Sequence, residues 1–468
     1  MFQLPLVLRT DSYKLSHFLQ LPDGITKDFE YIESRGGIHD EVLFFGLQYS
    51  IMKHLLTPVT TADIALAQVF AMKHGLPFNF AGWDYIVKKH GGLLPLRIRA
   101  VKEGTIVPTH NVLVTVENTD PLLPWLPGYI ETLLLRAVWY PTTVASISWH
   151  AKQTILKYLQ ATSEDPNGEI DFKLHDFGAR GTTCSEQAEL GGAAHLVNFR
   201  GSDTMEGAWT ANQYYDHDMA AFSIPAAQHG TIMSWGKDRE SAAYRNMLDK
   251  FAKRNAVGPA VVSDTYDFWN AMENIWGEEL RQAVVDTGAL VVLRPDSGHP
   301  PTVVLRALKI LYQKFGGYTN SRGYIVLNHV RLIQGDGMDL MMIDEVLEVI
   351  TKAGFSATNL AFGMGAGLLQ KCDRDTYKFA QKASWVEVNN IGQDIFKDPV
   401  TDPGKRSKAG RVDLVKKDGM FMTVPYDAGT MSQLDTVFEN GRLLRIQTLE
   451  EIRALSREVY NRPRPVLV

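Results

Sequence analysis

The chain has 468 residues, 45% of them hydrophobic and 22% charged, a globular balance with enough apolar material for a large core. Its net charge of −5 and pI near 6.2 give no basic field that would draw it to nucleic acid or to a membrane surface. Two cysteines, Cys184 and Cys372, in no paired or metal-type spacing argue against a disulfide framework and fit a reducing compartment.

The apolar start, Met1 to Leu8, runs directly into Arg9 and Asp11 and reads as a first strand rather than a secretory signal. No charge-free apolar run approaches the roughly 18 residues of a spanning helix, so the expectation is a cytoplasmic protein with no membrane and no nucleic-acid partner. The segments 93–101 (LLPLRIRAV) and 112–116 (VLVTV) carry the alternation of a half-buried sheet, with Lys102-Glu103-Gly104 as a hairpin turn between them. A helical pattern runs from Trp149 to Gln160 and stops at the polar stretch 163–168, the boundary expected in the N-terminal half.

Beyond it, short apolar runs repeatedly end in a polar or glycine cluster: KLHDFGARG (173–181), AHLVNFRGSD (194–203), FSIPAAQHG (222–230), AVVSDTYD (260–267), LVVLRPDSG (290–298), RLIQGDGMD (331–339) and LAFGMGAG (360–367). Most are followed by a helical pattern. Val304, Ala307, Leu308 and Leu311 form one apolar face; Ile343, Val346, Leu347 and Ile350 form another. Strands alternating with helices predict parallel pairing through right-handed crossovers. An irregular β/α barrel is expected, its polar clusters meeting at the C-terminal rim of the strands, in preference to an open doubly wound sheet with its ligand at the same strand ends. A last segment begins near Ser384: a basic, Pro/Gly-broken loop over 396–411, short strands, a final helix from Leu449 to Tyr460 and a Pro-rich tail.

Several of these clusters carry chemistry. HDFG (175–178) looks like a kinase magnesium motif, but no VAIK-like strand or HRD loop accompanies it. GMGAG (363–367) suits either a structural glycine turn or a phosphate held by backbone N–H groups at a helix start. Asp203, Asp264, Asp296 and Asp336 each end an expected strand. Singly they are candidate helix caps; together they form a rim of hard oxygen ligands suited to a magnesium–pyrophosphate complex. Arg180, Arg294 and Arg374 are expected at equivalent strand ends, where guanidinium forks recognise phosphate. His229, in a small-residue run before an expected long helix, is a structural histidine or a nucleophile oriented by a carboxylate such as Asp264.

Taken in order, TDSYKLSH (10–17), FFGLQY (44–49), VENTDP (116–121), KLHDFGARG, HLVNFRGSDT, SIPAAQHG, VVSDTYD, RPDSG, IQGDG, FGMGAGLLQK and FKDPVTDP resemble the nicotinamide phosphoribosyltransferases over nearly the whole chain. The resemblance implies an α/β protein with an irregular (β/α) barrel of the type II phosphoribosyltransferase kind over 151–384. An additional α+β domain would be built from the N-terminal segment 1–150 and completed by 385–468. It implies a homodimer with active sites at the subunit interface. The reaction joins nicotinamide and phosphoribosyl pyrophosphate into nicotinamide mononucleotide and pyrophosphate, in NAD salvage. Magnesium would come with the phosphates rather than on protein ligands, and ATP, as co-substrate, would be hydrolysed through a phosphohistidine at His229.

Carried over by position, the pyridine ring lies between Phe177 and, from the other subunit, Tyr13. Asp203 takes the carboxamide N–H, and Arg294 faces the amide oxygen. Ribose and phosphate contacts fall on Asp296, Gly335, Asp336, Gly365, Ala366 and Arg374. Pyrophosphate falls on Arg180 and His229, with Arg35, Lys382, Lys397 and Lys405 as further phosphate candidates and His229, Asp264 and Asp296 as the catalytic group. Two positions depart from the family pattern: Gln228 stands where an acidic residue commonly precedes the histidine, and Ala366 replaces a glycine of the phosphate loop. The nearest rivals are a nicotinate-using relative and a silent pyridine-nucleotide binder.

Overall fold

Two hydrophobic patterns in the chain build two units, Met1–Ser146 with Asn212–His217 and Asp373–Val468, and Ile147–Ala211 with Asp218–Cys372. The computed structural model describes residues 4–254, 256–402, 405–426, 429 and 431–458. In the first unit the β-rich segments form a seven-stranded sheet. Its order is Ile391–Asp394, Phe379–Val388, Ile25–Ser34, Val112–Asn118, Leu96–Ala100, Asp435–Glu439, Arg442–Leu443. Ile25–Ser34 pairs antiparallel with both Phe379–Val388 and Val112–Asn118, so the C-terminal segment is hydrogen-bonded into the N-terminal one. Trp83, fully buried on the helix Phe80–His90, meets the rings of Trp125 and Tyr129 edge-on at 5.2 Å, a preferred aromatic geometry.

Four local expectations change here. Residues 1–3 lie outside the described residues, and Leu6–Leu8 is a 3-10 turn rather than a strand. Pro5 fixes φ at −60° and has no N–H for a ladder. The turn at Lys102 exists, closed by the Thr105 N–H on the Lys102 carbonyl at 3.2 Å. It leads, however, into Ile106–Pro108, paired with Glu41–Leu43, before the chain reaches the next strand of the main sheet. The helix expected from Trp149 is the end of one 32-residue helix, Glu131–Thr162, which runs through Pro141, a residue that from sequence reads as a stop. The two units part within this helix, so the stretch 163–168 lies inside the second unit. The final helix is described over Leu449–Glu458; residues 459–460 and the Pro-rich tail lie outside the described residues.

In the second unit the strands of the main sheet are β1 (Leu174–Asp176), β2 (Gly201–Ser202), β3 (Val257–Val262), β4 (Leu290–Arg294), β5 (Val330–Gln334) and β6 (Leu360–Met364). They form a parallel sheet in the order β2-β1-β6-β5-β4-β3. The segment 222–226 joins the two edges, bridging Gly201 through Phe222 and Ala260 through Ala226, both parallel. Neighbours around this ring are therefore neighbours in sequence, and the sheet curls into an irregular barrel.

The segments around 194–203 and 222–230 are much poorer in strand than their apolar residues suggest. Helix Ser185–Leu196 takes up the start of the first, and Gly192 on it lets the backbone approach that of Gly207; a Cβ at 192 would lie 2.8 Å from the Gly207 Cα. His229 opens a helix of five residues, His229–Met233, not a long one. The expected apolar faces are buried as read, on helices Pro300–Phe315 and Leu340–Lys352. Leu308→Ala, at a fully buried position, should lower unfolding free energy by about 2–5 kcal/mol, measured by urea titration; a loss under about 0.5 kcal/mol would contradict the packing described.

Candidate active site

Strand side chains alternate in direction, and in the barrel every second position along a strand points inward. Lys173, His175 and Phe177 form one column, Leu290, Val292 and Arg294 another, and Arg331, Ile333 and Gly335 a third. Their midsections make an apolar plug of Ala260, Val292 and Ile333 with Phe177, Ile224 and Ala361. Two cavities share Phe177 as a wall. One, of about 460 Å³, is lined by His175, Asp203, Ser223 and the apolar barrel interior, and extends down to Lys173, Arg331 and Glu169. The other, of about 270 Å³, is polar: Arg180, Arg294, Asp296, Asp336 and the glycine turns at Gly335 and Gly365-Ala366 line it.

The Phe177 ring lies directly on β6. A Cβ on Gly363 would sit 2.0 Å from its Cε2, and one on Gly335 would touch the ring at 3.4 Å. The Phe177 N–H donates to the Met364 carbonyl at 3.0 Å, and the next N–H, of Gly178, donates to the Asp176 carboxylate at 2.7 Å. Arg180 follows in the 3-10 turn Ala179–Gly181. Gly365 caps the four-residue helix Ala366–Leu369, whose first N–H groups have no acceptor within the helix and open at the polar cavity.

Three of the rim carboxylates are not the caps of the helices that follow them. Asp267 caps the turn Phe268–Asn270, His299 precedes Pro300–Phe315, and Asp339 caps Leu340–Lys352. Asp264, Asp296 and Asp336 are thereby left for other partners. Asp264, with a side chain only 5% exposed, is a hub: Oδ1 meets His229 Nε2 at 3.0 Å, while Oδ2 accepts the Asp296 N–H at 3.1 Å and the Ser297 hydroxyl at 2.6 Å. Arg294 Nη2 donates to Asp296 Oδ2 at 2.9 Å, and His229 Nδ1 lies 4.0 Å from the same oxygen. Asp203 accepts the Ser223 hydroxyl at 2.6 Å. Burial holds the His175 imidazole below its usual range, partly offset by Asp203.

The sequence-derived set divides between the units. Phe177, Arg180, Asp203, His229, Asp264, Arg294, Asp296, Gly335, Asp336, Gly365 and Ala366 belong to the barrel unit. Tyr13, Arg35, Arg374, Lys382, Lys397 and Lys405 belong to the first. Arg374 is not at a strand end as expected; it opens the 3-10 turn Arg374–Thr376 beyond the helix Ala366–Leu369 and donates to Asp375 at 3.2 Å. Tyr13 is 57% exposed on the 3-10 run Ser12–Leu19. Arg35 donates to the Arg406 carbonyl at 3.3 Å. Lys405 pairs with Asp402 at 2.8 Å, and the Lys397 N–H donates to Ser407 at 2.9 Å. Burial lowers the Lys382 ammonium.

Residues that sequence reasoning passed over are Ser223 and Ser297, inside quoted motifs but without a signal of their own, and the lower pair Lys173 and Arg331; Asp176 was met only as the acid of the kinase-like HDFG segment. Among the described residues no three His, Cys, Asp or Glu side chains are grouped to hold a metal ion, and no helix is long and apolar enough to cross a membrane.

The pattern of the nicotinate phosphoribosyltransferase (NAPRTase) family matches residues 172–442, and that of the nicotinamide phosphoribosyltransferase N-terminal domain matches residues 5–98. The chain is 52% identical over 457 residues to the nicotinamide phosphoribosyltransferase of Xanthomonas campestris pv. campestris, covering 96% of this chain and 97% of that protein. It is 31% identical over 484 residues to the nicotinamide phosphoribosyltransferase of Acinetobacter baylyi, covering 95% of each. The solved nicotinate-nucleotide pyrophosphorylase of Pyrococcus furiosus aligns with a TM-score of 0.61 at 15% identity, over 97% of this chain and 95% of that one; that likeness speaks for the fold.

Gly363→Ala should push the Phe177 ring off β6, since an added methyl 2.0 Å from Cε2 cannot be absorbed by a strand backbone. Overpacking of this kind destabilises by about 1–3 kcal/mol. A crystal structure of the variant with the ring unmoved would refute the contact.

Proposed function

This chain belongs to the nicotinamide phosphoribosyltransferases of the nicotinate phosphoribosyltransferase family and is a pentosyltransferase, and on that footing we propose that it forms nicotinamide mononucleotide and pyrophosphate from nicotinamide and phosphoribosyl pyrophosphate. The observation that carries the reading is the shared aromatic wall, Phe177, between a largely apolar cavity that Asp203 lines and a polar cavity of arginines, aspartates and glycine turns. A flat neutral base fits the first and a phosphorylated sugar the second, with the reacting atoms meeting at the rim.

The pyridine nitrogen attacks the ribosyl carbon as the bond to pyrophosphate breaks, and the bonding pair leaves with pyrophosphate. The ring becomes a cation, which an aromatic face binds better than the neutral base; such binding favours the transition state over the substrate. Tyr13 of the partner subunit would supply the second face. The exposure of Tyr13 supports a composite site in a homodimer, as do Met205 and Trp209, 72% and 64% exposed one turn apart. Asp203, with one oxygen taken by Ser223, would accept the carboxamide N–H, and Arg294, held by Asp296, would face the amide oxygen.

Arg180 and the N–H groups at Gly365-Ala366 would take phosphate charge, with Asp336 and Gly335 toward the ribose. Arg374, Arg35, Lys382, Lys397 and Lys405 would be additional cations for the phosphates. Magnesium would arrive bound to the phosphates and supply charge neutralisation of the leaving group. Asp296 and Asp336 are the carboxylates of the polar cavity that could reach it.

His229 would accept a phosphoryl group from ATP: its nitrogen attacks the terminal phosphorus, the bond to ADP breaks, and water later releases phosphate. Nε2 donating to Asp264 leaves Nδ1 with its lone pair. Gln228 caps the short helix at His229 and adds no negative charge beside the imidazole, so the coupling would rest on Asp264 and Asp296.

Parallel assays with nicotinamide and nicotinate test the base: Asp203 should repel a second carboxylate, and preference for nicotinate would reject this reading. Asp203→Asn should narrow the discrimination by about tenfold or more, read as the ratio of kcat/KM for the two bases. His229→Ala should abolish ATP hydrolysis while leaving ATP-independent formation of the mononucleotide. Undiminished ATP turnover in that variant would put the nucleophile elsewhere.

A further inference from the structure

The acid of the HDFG segment is left over from the chemistry above. Asp176 ends β1 with its side chain on the outer face, opposite in direction to Phe177, and it is fully buried. Its Oδ1 accepts the Gly178 N–H at 2.7 Å, and the Thr204 hydroxyl is the other donor beside the carboxylate. Its main-chain carbonyl accepts the Asp203 N–H at 3.0 Å. One residue thus ties down both the turn that carries Phe177 and Arg180 and the start of the segment that carries Asp203.

Gly178 has no room for another solution. A Cβ there would lie 2.6 Å from Leu369 Cγ and 3.1 Å from Asp176 Oδ1, so the turn is squeezed between the carboxylate and the short helix behind it. An ionised acid without a full set of donors is an expensive thing to bury. Burial pushes this carboxyl up to about 6, with Asp203 and Glu206 adding to the rise and the Gly178 N–H and the neighbouring Thr204 hydroxyl drawing it back down. A residue serving only to fill space at this position would be apolar.

We propose that Asp176 is a positioning residue for the transferase reaction, its carboxylate fixing the Phe177–Gly178 turn so that the aromatic wall is set before the base arrives. This rests on the reading of Phe177 as the face that binds nicotinamide. Asp176 itself touches neither substrate nor the reacting atoms. A side chain that accepts the N–H two residues on makes a local turn. Here that turn reverses the chain at the strand end and keeps the ring against Gly363. Without the acceptor, the turn is free to relax and the ring must be ordered at the expense of binding.

The test compares three variants of the full-length enzyme by steady-state kinetics, with thermal unfolding in parallel. Asp176→Ala, which removes the acceptor, should raise the KM for nicotinamide about tenfold, the scale of a lost hydrogen bond to a charged group, with a much smaller change in the KM for phosphoribosyl pyrophosphate. Asp176→Asn keeps an amide oxygen for Gly178 and removes the buried charge. It should recover most of the affinity for nicotinamide and unfold at the wild-type temperature or above. Phe177→Leu should raise the nicotinamide KM at least as much as Asp176→Ala. If Phe177→Leu raises it and Asp176→Ala does not, or if Asp176→Asn is as impaired as Asp176→Ala, the positioning role falls while the function stands. If Phe177→Leu leaves it unchanged, the reading of the base site falls and the positioning role with it.

Discussion

The contact between the Phe177 ring and the bare backbone of Gly363 organises the barrel mouth. Because no Cβ intervenes, the aromatic ring can press against the strand backbone, and it becomes a partition rather than one more core side chain. On one side of it the barrel interior is apolar; on the other the rim is charged. A substrate pair made of a flat heterocycle and a polyanion needs these two environments next to each other. A single ring, pressed against Gly363, lines both of them.

The charged side of that partition is held in place by sharing. Asp264 spends both oxygens on orientation, one on the imidazole of His229 and one on the Asp296 N–H and the Ser297 hydroxyl. Asp296 in turn holds the Arg294 guanidinium. No member of the chain can swing without disturbing the next, and a preorganised network of this sort needs little rearrangement when charge develops in the reaction. The hydroxyls of Ser297 and Ser223 matter for the same reason: each occupies one carboxylate oxygen and so fixes which way the other points.

Much of the barrel was legible because the period of two in its strands is preserved through the rim. Lys173, His175 and Phe177, or Leu290, Val292 and Arg294, are columns in the sequence before they are columns in space, and the acids two residues past β3, β4 and β5 end them. The cap-or-ligand ambiguity of those acids was resolvable only with coordinates, because the actual caps, Asp267 and Asp339, stand three residues further on and look no different in sequence. The segment 222–226 carries a strand-like pattern yet contributes only two bridges, since closure of an irregular barrel is a tertiary matter that local propensity does not encode. Arg374 differs for a similar reason: a cation soon after a strand reads as a rim residue, whereas it opens the 3-10 turn Arg374–Thr376 after the helix Ala366–Leu369. Asp176 stood out only through the kinase-like HDFG segment, because a buried acid on the outer face of a strand is indistinguishable by pattern from one at the rim.

The vertical order of the barrel columns has a consequence for the chemistry at their tops. Beneath Arg294 lies Val292, beneath Gly335 lies Ile333, and with Ala260, Ala361 and Ile224 they form an apolar layer under the rim. Charges seated on such a floor interact through a medium far less polarisable than water, so the attraction between the cationic rim and a departing polyanion is stronger than the same groups would produce on an open surface. The apolar plug is therefore part of the electrostatics: it sets the dielectric in which the arginines and aspartates act, and it is the same packing of Val292, Ile333 and Ala260 that supports the underside of the Phe177 ring.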